Sequence, residues 1–223
     1  MSFLSDFISS GGETIILDLE KKRYTSSSEF VATQDCVLIG YIYGGSGGGG
    51  GGGINSTSGY GFDGHNGGES NLKINGQLFI TTPGGRGGKG ANSAISSQSQ
   101  HGCRDDLRGA NGAAAGPPLV SGVTDTLNLM PRDNAGNKGG AGGSCFYAIN
   151  IDVFYGGMGG RGSGGAKKEF AFSLKEGDVL TITIGAGGSG GLGGSSSLGE
   201  ADRGYSGARG YCEFDVYNYW ELE

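Results

Sequence analysis

Alternating apolar and polar residues near the start of the chain predict two β-strands. Ile15, Leu17 and Leu19 fall on one face of the first stretch, and the same period of two returns over residues 37–42. A period of two places successive side chains on opposite faces, as in a half-buried strand. The second strand leads directly into a tract in which every residue from 44 to 53 except Ser46 is glycine.

The same pattern occurs near the C-terminus. Phe170, Phe172 and Leu174 share one face, and the sequence Lys-Glu-Gly-Asp follows at residues 175–178. This sequence predicts a tight turn, because glycine readily adopts a positive φ. We expect residues 179–184 to return beside residues 170–174 as their hairpin partner.

A last strand is predicted over residues 211–216, with Cys212, Phe214 and Val216 on its inner face. Strands therefore come from both ends of the chain, and we expect them to form one small β-sandwich, called the base below. After an N-terminal arm of residues 1–13, the predicted base comprises residues 14–43, 168–184 and 211–223.

A separate hairpin signal lies over residues 72–80. It contains Asn75-Gly76 between two apolar runs, which is the strongest short-range indication of a hairpin. Because it lies inside the first long glycine-rich insert, we expect it to be a decoration outside the base.

Glycine accounts for 52 of the 223 residues. It is poor in both α-helix and β-strand, but it suits an extended helix with three residues per turn, and the tracts at 84–90, 156–161 and 185–193 repeat every three residues. Such a helix has no internal hydrogen bonds, so its backbone must pair with neighbouring helices. The sequence therefore predicts a fold that is mainly β with irregular structure. Its small β-sandwich base would carry a bundle of polyglycine II helices with long loops, over residues 44–167 and 185–210.

The charge balance excludes some classes of partner. The net charge is −6 and the pI is about 4.9, which argues against a nucleic-acid surface, since these are basic. No stretch approaches the ~20 apolar residues that a membrane span needs. We therefore expect neither nucleic-acid binding nor membrane insertion.

No constellation of catalytic residues is evident. Residues 185–190 match a dinucleotide-binding fingerprint, but the glycines and serines of 191–197 cannot begin the helix that would hold the pyrophosphate. His65 and His101 lie in different inserts without a partner at catalytic spacing. The sequence thus favours a protein that is not an enzyme and has no cofactor.

The four cysteines show no spacing typical of a metal site. Cys36 and Cys212 each lie in a predicted strand, where free cysteine behaves as a small buried hydrophobic residue. We expect no metal.

Three segments carry a resemblance to a known family. Residues 30–53, 170–197 and 204–216 each join a strand to a glycine tract, and together they resemble the glycine-rich domain at the ends of bacteriophage tail fibres. The resemblance covers roughly residues 23–53 and 156–217, and in architecture the chain is similar to the polyglycine-sandwich adhesins of T-even-type phages. It implies a receptor-binding protein at a fibre tip of the virion, made in the host cytoplasm. Its implied partners are a bacterial surface receptor, either an outer-membrane protein or a polysaccharide, and the fibre shaft or another virion protein.

The direction of each tract predicts which loops lie at the end of the bundle opposite the base, called the distal end below. Counting from the strands that precede or follow the tracts, we expect distal loops at 144–155 and 195–203, and at 54–82 if residues 83–90 return toward the base. Residues 91–137 would then lie near the base. On this count residues 109–116 are not a full member of the bundle. If they are one, residues 144–155 must instead cross the bundle as a strand. The candidate receptor-binding residues are Tyr60, Phe62, His65, Asn66, Phe146, Tyr147, Phe154, Tyr155 and Tyr205.

Two other classes compete with an adhesin. One is a structural fibre or decoration protein of the virion, such as a head fibre, without receptor binding. The other is an ice-binding glycine bundle, which the long and dissimilar inserts disfavour. The arm contains Phe3, Leu4, Phe7 and Ile8 and either docks on a partner or folds onto its own base. Since fibres are usually trimeric and the apolar arm offers a symmetric contact, we predict a homotrimer.

Overall fold

The computed structural model describes residues 14–54, 59–92, 108–120, 139–144, 157–196 and 199–221. Within these ranges the protein is mainly β and contains no α-helix. The N-terminal arm and the homotrimer contact predicted for it lie outside the described residues. The strands are β1 (Thr14–Tyr24), β2 (Ser28–Val31), β3 (Cys36–Tyr43), β4 (Ser70–Ile74), β5 (Gln77–Thr82), β6 (Leu119–Val120), β7 (Lys167–Leu174), β8 (Val179–Thr183), β9 (Ser195–Ser196), β10 (Gly199–Glu200) and β11 (Tyr211–Glu221).

The strands form two larger antiparallel sheets. The first has the order β1-β11-β3-β7 and the second has the order β2-β8-β4-β5-β6, while β9 and β10 pair with each other. The strands predicted at residues 15–20, 37–42 and 211–216 are therefore confirmed as β1, β3 and β11. The first sheet places the last strand between two strands from the first fifth of the chain, so the predicted mixing of both chain ends is also confirmed.

The inner faces of the two sheets share one hydrophobic core. Phe79 of the second sheet meets Phe172 of the first edge-to-face, with ring centroids 5.0 Å apart, and Phe30 and Phe214 form a similar pair at 5.5 Å. Such aromatic pairs add about 0.5–1.5 kcal/mol to the stability that burial alone provides. The core also holds Cys36 and Cys212, which are buried free thiols as the sequence predicts.

The prediction that residues 170–184 form a hairpin is wrong. The turn forms as expected, with φ of 85° at Gly177, but β7 pairs with β3 in the first sheet and β8 pairs with β2 and β4 in the second. The turn thus crosses from one sheet to the other. Both strands direct their apolar faces into the shared core, so packing across the sandwich replaces pairing side by side.

The 72–80 hairpin was predicted to be a decoration outside the base, and this is wrong, because both of its strands belong to the second sheet. Asn75 and Gly76 have φ of 49° and 80°, so the turn itself is confirmed. However, β4 lies between β8 and β5, and Leu72 is completely buried. Asn75 also ties the turn to β8, since its side-chain oxygen accepts a hydrogen bond from the backbone N–H of Val179 (2.9 Å).

Glycine-rich runs extend from one edge of the two sheets. The chain leads away from the sheets over residues 44–54, 83–92, 139–144 and 185–194, and it leads back over residues 59–68, 108–116, 157–166 and 201–210. Ser70 is buried where several of them start: its hydroxyl donates to the carbonyl of Tyr43 (2.7 Å) and accepts from the N–H of Gly185 (2.9 Å).

Three features of the predicted chain direction are wrong. Residues 59–68 form a returning run, so residues 54–82 are not one distal loop. Residues 109–112 bond laterally to two other runs, and Ala91 lies beside Gly53 at the distal end, so residues 91–137 do not all lie near the base. Run 83–92, which lies between the two overlooked runs, therefore leads away from the sheets and does not return to them as predicted. The second overlooked run reverses the direction again, so the later runs keep their predicted directions.

Residues 44–53 occupy the centre of the glycine-rich part and are all buried. Their N–H groups donate in a repeat of three. Gly44, Gly47, Gly50 and Gly53 donate to run 157–166, and the residue that follows each of them donates to run 59–68. Ser46, Gly49 and Gly52 donate to run 201–210. Carbonyl groups of the same run accept from the runs that lead away from the sheets, for example from Gly88 and Gly191. The central backbone is therefore bonded on every side.

The surrounding runs also bond to one another. Run 59–68 donates to runs 83–92 and 185–194, run 201–210 donates to runs 185–194 and 139–144, and run 157–166 donates to runs 139–144 and 83–92. These contacts close a ring around the central run. Residues 109–112 lie outside the ring, where they bond to runs 83–92 and 157–166. The closed ring leaves little room for side chains inside it, where Ser46 stands among glycines with a completely buried side chain.

Acid should destabilise the base through the turn at residues 175–178. Asp35 accepts hydrogen bonds from Lys175 and Glu176, and Asp178 accepts from Asn75 and Lys175, which lowers the pKa of both carboxyls below their ordinary value of 3.8. Because the pKa is lower in the folded state, this contribution is present above about pH 4 and is lost as pH falls through the folded value. We expect the melting temperature to fall between pH 5 and pH 3, and to fall less for Asp35→Asn. Equal falls for both proteins would contradict this assignment.

Candidate functional site

The two ends of the molecule differ in what they present. Thr14 pairs with Glu221 at the side of the first sheet remote from the glycine-rich runs, so both ends of the described chain lie together there. At the opposite, distal end the runs that lead away from the sheets end at residues 54, 92, 144 and 194, and the runs that lead back begin at residues 59, 108, 157 and 201. The distal end is thus where outward runs end and returning runs begin, remote from the paired ends of β1 and β11.

The described candidate receptor-binding residues lie on runs rather than in loops. Tyr60, Phe62, His65 and Asn66 belong to the returning run 59–68, and Tyr205 belongs to the returning run 201–210. Three of them are exposed as predicted, with exposed fractions of 53% for Tyr60, 62% for Phe62 and 69% for Tyr205. The other candidates, Phe146, Tyr147, Phe154 and Tyr155, lie outside the described residues. Their segment is flanked by Ser144 and Gly157, which lie beside Gly52 and Gly53 at the distal end.

Asn66 supports the backbone instead of standing free. Its side-chain oxygen accepts a hydrogen bond from the N–H of Gly87 (3.0 Å). One repeat further toward the distal end, Asp63 accepts from the N–H of Gly90 (2.9 Å) and pairs with Lys89 (2.6 Å). The bond to Lys89 and then the bond to Gly90 lower the pKa of Asp63. Both side chains therefore satisfy backbone donors of the neighbouring run.

A seam of facing side chains runs along the contact between runs 59–68 and 185–194. Backbone bonds pair Phe62 with Leu192, His65 with Ser189 and Gly68 with Ala186. The His65 ring nitrogen Nδ1 and the Ser189 hydroxyl lie 2.8 Å apart. Toward the distal end this polar pair gives way to Phe62 and Leu192, which remain 62% and 53% exposed. The seam thus becomes apolar at the distal end.

A groove of about 510 Å³ opens beside this apolar pair. Its lining combines the apolar residues Phe62 and Leu192 with polar residues from the turn that carries β9 and β10 and from the start of run 201–210. The lining residues are Phe62, Leu192, Gly193, Ser195, Glu200, Ala201, Asp202 and Arg203. This volume is in the range of sites that hold a side chain or a small ligand.

Sequence reasoning identified only part of the groove. Residues 195–203 were predicted as a distal loop, and the reversal at 195–200 agrees with that, but Glu200, Asp202 and Arg203 were not singled out. Leu192 was missed as well, although its place in the three-residue repeat of 185–193 indicates a side chain directed outward. The pairing of Leu192 with Phe62 depends on the register between two runs, which no repeat within one run can reveal.

A second cluster of interacting side chains covers the outer face of the first sheet. The Tyr43 and Tyr211 rings stack at 4.7 Å, and Tyr41 meets both edge-on. The Arg23 guanidinium lies 4.7 Å from the centre of the Tyr211 ring. Burial and a hydrogen bond to Glu213 raise the pKa of Tyr41. The side chains of this cluster contact one another, so the cluster forms a rigid surface where the first sheet meets the glycine-rich runs.

The described residues contain no group of three or more His, Cys, Asp or Glu side chains that could hold a metal ion. Within the same ranges no helix is long and apolar enough to span a membrane. Comparison with protein-family models, with curated proteins and with solved structures finds no significant match to this chain.

Proposed function

We propose that this protein is a receptor-binding tip of a bacteriophage fibre, without enzymatic activity, in which a β base carries a bundle of polyglycine II helices. The observation that carries the proposal is that Thr14 and Glu221 pair at one end of the molecule, while outward runs end and returning runs begin at the opposite end. A fibre protein attached through its N-terminal residues would then hold the reversals outward, toward the bacterial surface.

The hydrogen bonds of the central run support the assignment of polyglycine II helices. Residues three apart, such as Gly44, Gly47 and Gly50, donate to the same neighbouring run, as a helix with three residues per turn requires. An α-helix would bond within itself, and a strand would bond on two sides only. Here the run bonds to neighbours all around it.

Such a bundle also explains how a small chain reaches outward. Each residue of the extended helix advances ~3.1 Å, so a run of ten residues carries its reversal ~30 Å from the sheets. A flexible glycine linker would cover this distance without fixing the position of the loops. Lateral bonding makes the runs a stiff support, so that several reversals stay together at the distal end.

The residues proposed to contact the receptor are the exposed aromatic residues near that end. Tyr60 and Phe62 are two of them, while Tyr205 is also exposed but lies about half-way along the runs, beside Gly49. The candidates of residues 145–156, which are Phe146, Tyr147, Phe154 and Tyr155, complete the proposed contact set. Aromatic side chains bury a large area at low entropic cost and are enriched in binding surfaces. His65 is proposed only as a neighbour of the contact surface, since it bonds to Ser189.

A structural fibre or decoration protein of the virion is the second candidate. It would use the same base and bundle, but it would not require exposed apolar side chains such as Phe62 and Leu192 near the distal end. Exposed apolar groups of this size favour a binding role over a purely structural one.

Purified fluorescent protein should bind saturably to cells of some strains in a broad panel of bacteria. We expect unlabelled protein to compete for these sites, and we expect no binding to protein-free lipid vesicles. Failure to bind any strain in its natural oligomeric state, with the arm intact, would favour the structural alternative. The same preparation yields the mass in solution, and a monomer would contradict the predicted homotrimer.

A further inference from the structure

The distal groove combines an apolar side with a charged rim. Phe62 and Leu192 expose more than half of their surface, and the charged residues Glu200, Asp202 and Arg203 line the same groove. Two carboxylates and one guanidinium belong to this rim, so the rim carries an excess of negative charge in a protein whose net charge is already −6.

The backbone that carries these side chains is fixed. Phe62 donates to the carbonyl of Leu192 (2.9 Å) and accepts from the N–H of Gly51 (2.8 Å). Asp202 donates to Ser144 (3.1 Å) and accepts from Gly52 (2.9 Å). The apolar side and the acidic rim are therefore held at a set separation before any ligand arrives, which reduces the entropy lost on binding.

We propose that this groove binds a protein segment in which a lysine or arginine side chain stands next to an apolar side chain. The apolar side chain would rest on Phe62 and Leu192, and the cationic group would lie between Glu200 and Asp202. This inference rests on the proposed receptor-binding function and assigns the chemical class of the partner. An excess of carboxylates repels phosphorylated or acidic polysaccharides, which favours a basic protein loop over the anionic glycans of bacterial surfaces.

The partner class can be tested without knowing the receptor. Selection of random linear peptides on the folded, full-length protein should enrich sequences with lysine or arginine next to an aliphatic or aromatic residue. Binding of the enriched peptides should weaken about tenfold in the double variant Glu200→Gln, Asp202→Asn, and should weaken as salt is raised, since the charges are exposed. Phe62→Ser should reduce binding as well.

The matched control neutralises two carboxylates at the other end of the molecule. Glu29 and Glu176 are exposed in the base, and Glu29→Gln, Glu176→Gln removes the same charge without touching the groove. This control should bind the peptides as the unaltered protein does, and thermal melting should show that all variants remain folded.

Three outcomes would overturn the inference. They are the absence of basic sequences among the enriched peptides, equal binding by the groove variant and the unaltered protein, and groove-dependent binding of neutral or acidic glycans on an array in place of peptides. If cells of the strain panel bind the protein while the peptides fail, only the partner class is wrong. If no strain binds, the receptor-binding function fails independently of the peptide result.

Discussion

Gly49→Val protein is expected not to fold. Gly49 lies in the middle of the central run, where a Cβ atom would approach the carbonyl oxygen of Ala141 to 2.0 Å. Its N–H donates to Tyr205 and its carbonyl accepts from Gly191, so the runs cannot separate without breaking bonds on several sides. Each buried backbone group left without a partner costs ~1–3 kcal/mol, against a total stability of ~5–15 kcal/mol for a domain.

The measurement is the soluble yield together with thermal melting of any soluble protein. Gly188→Val should fail in the same way, because its Cβ would approach the carbonyl oxygen of His65 to 2.0 Å. Ala186→Val is the control, since Ala186 lies in the same run but points outward and is exposed. If both glycine variants are soluble and melt normally, the laterally bonded bundle is wrong.

Replacement of residues 145–156 by a short glycine-serine linker should abolish attachment to bacteria that bind the unaltered protein. The flanking residues Ser144 and Gly157 lie beside Gly52 and Gly53, so the replaced segment leaves and re-enters the described part at the distal end. Because the runs themselves are unchanged, the melting temperature should stay nearly the same. The narrower change of Phe154 and Tyr155 to Ala should weaken attachment in the same direction.

The control for this experiment replaces residues 121–138, which contain Leu127 and Met130. This segment follows β6 in the second sheet and precedes Gly139, which lies beside Gly162 in the part of its run nearer the sheets. Attachment should persist, and any effect should appear as lower thermal stability. Loss of attachment from this replacement with unchanged melting would place the contact surface at the base instead.

The sequence predicted individual strands and turns well because their signals are local. The alternation of Cys212, Phe214 and Val216 follows directly from the geometry of a strand with one buried face. Gly177 and Asn75-Gly76 mark turns because few other residues adopt a positive φ readily. The sequence did not predict that β7 and β8 belong to different sheets, since a hairpin and a crossover need the same apolar faces and the same turn.

The candidate site was predicted less completely than the strands. Tyr60 and Phe62 were identified as exposed residues, but they were assigned to a loop, because glycines at 59, 61, 64 and 67 alternate with bulky side chains and do not form a pure tract. The structure makes this segment a run, since only every third residue has to approach a neighbour closely. The groove formed by Phe62, Leu192 and the 195–203 segment was not predicted as a unit.

The sequence by itself determined where backbones must pack closely and where strands bury one face, since both depend on residue type and short-range period. The tertiary structure alone decided which runs are neighbours, which strands share a sheet and which side chains meet at the distal end. The physical reason is that a glycine run carries almost no side-chain information about its partners. Its neighbours are chosen by hydrogen bonds between uniform backbones, within limits that the folded base sets by fixing where each run begins and ends.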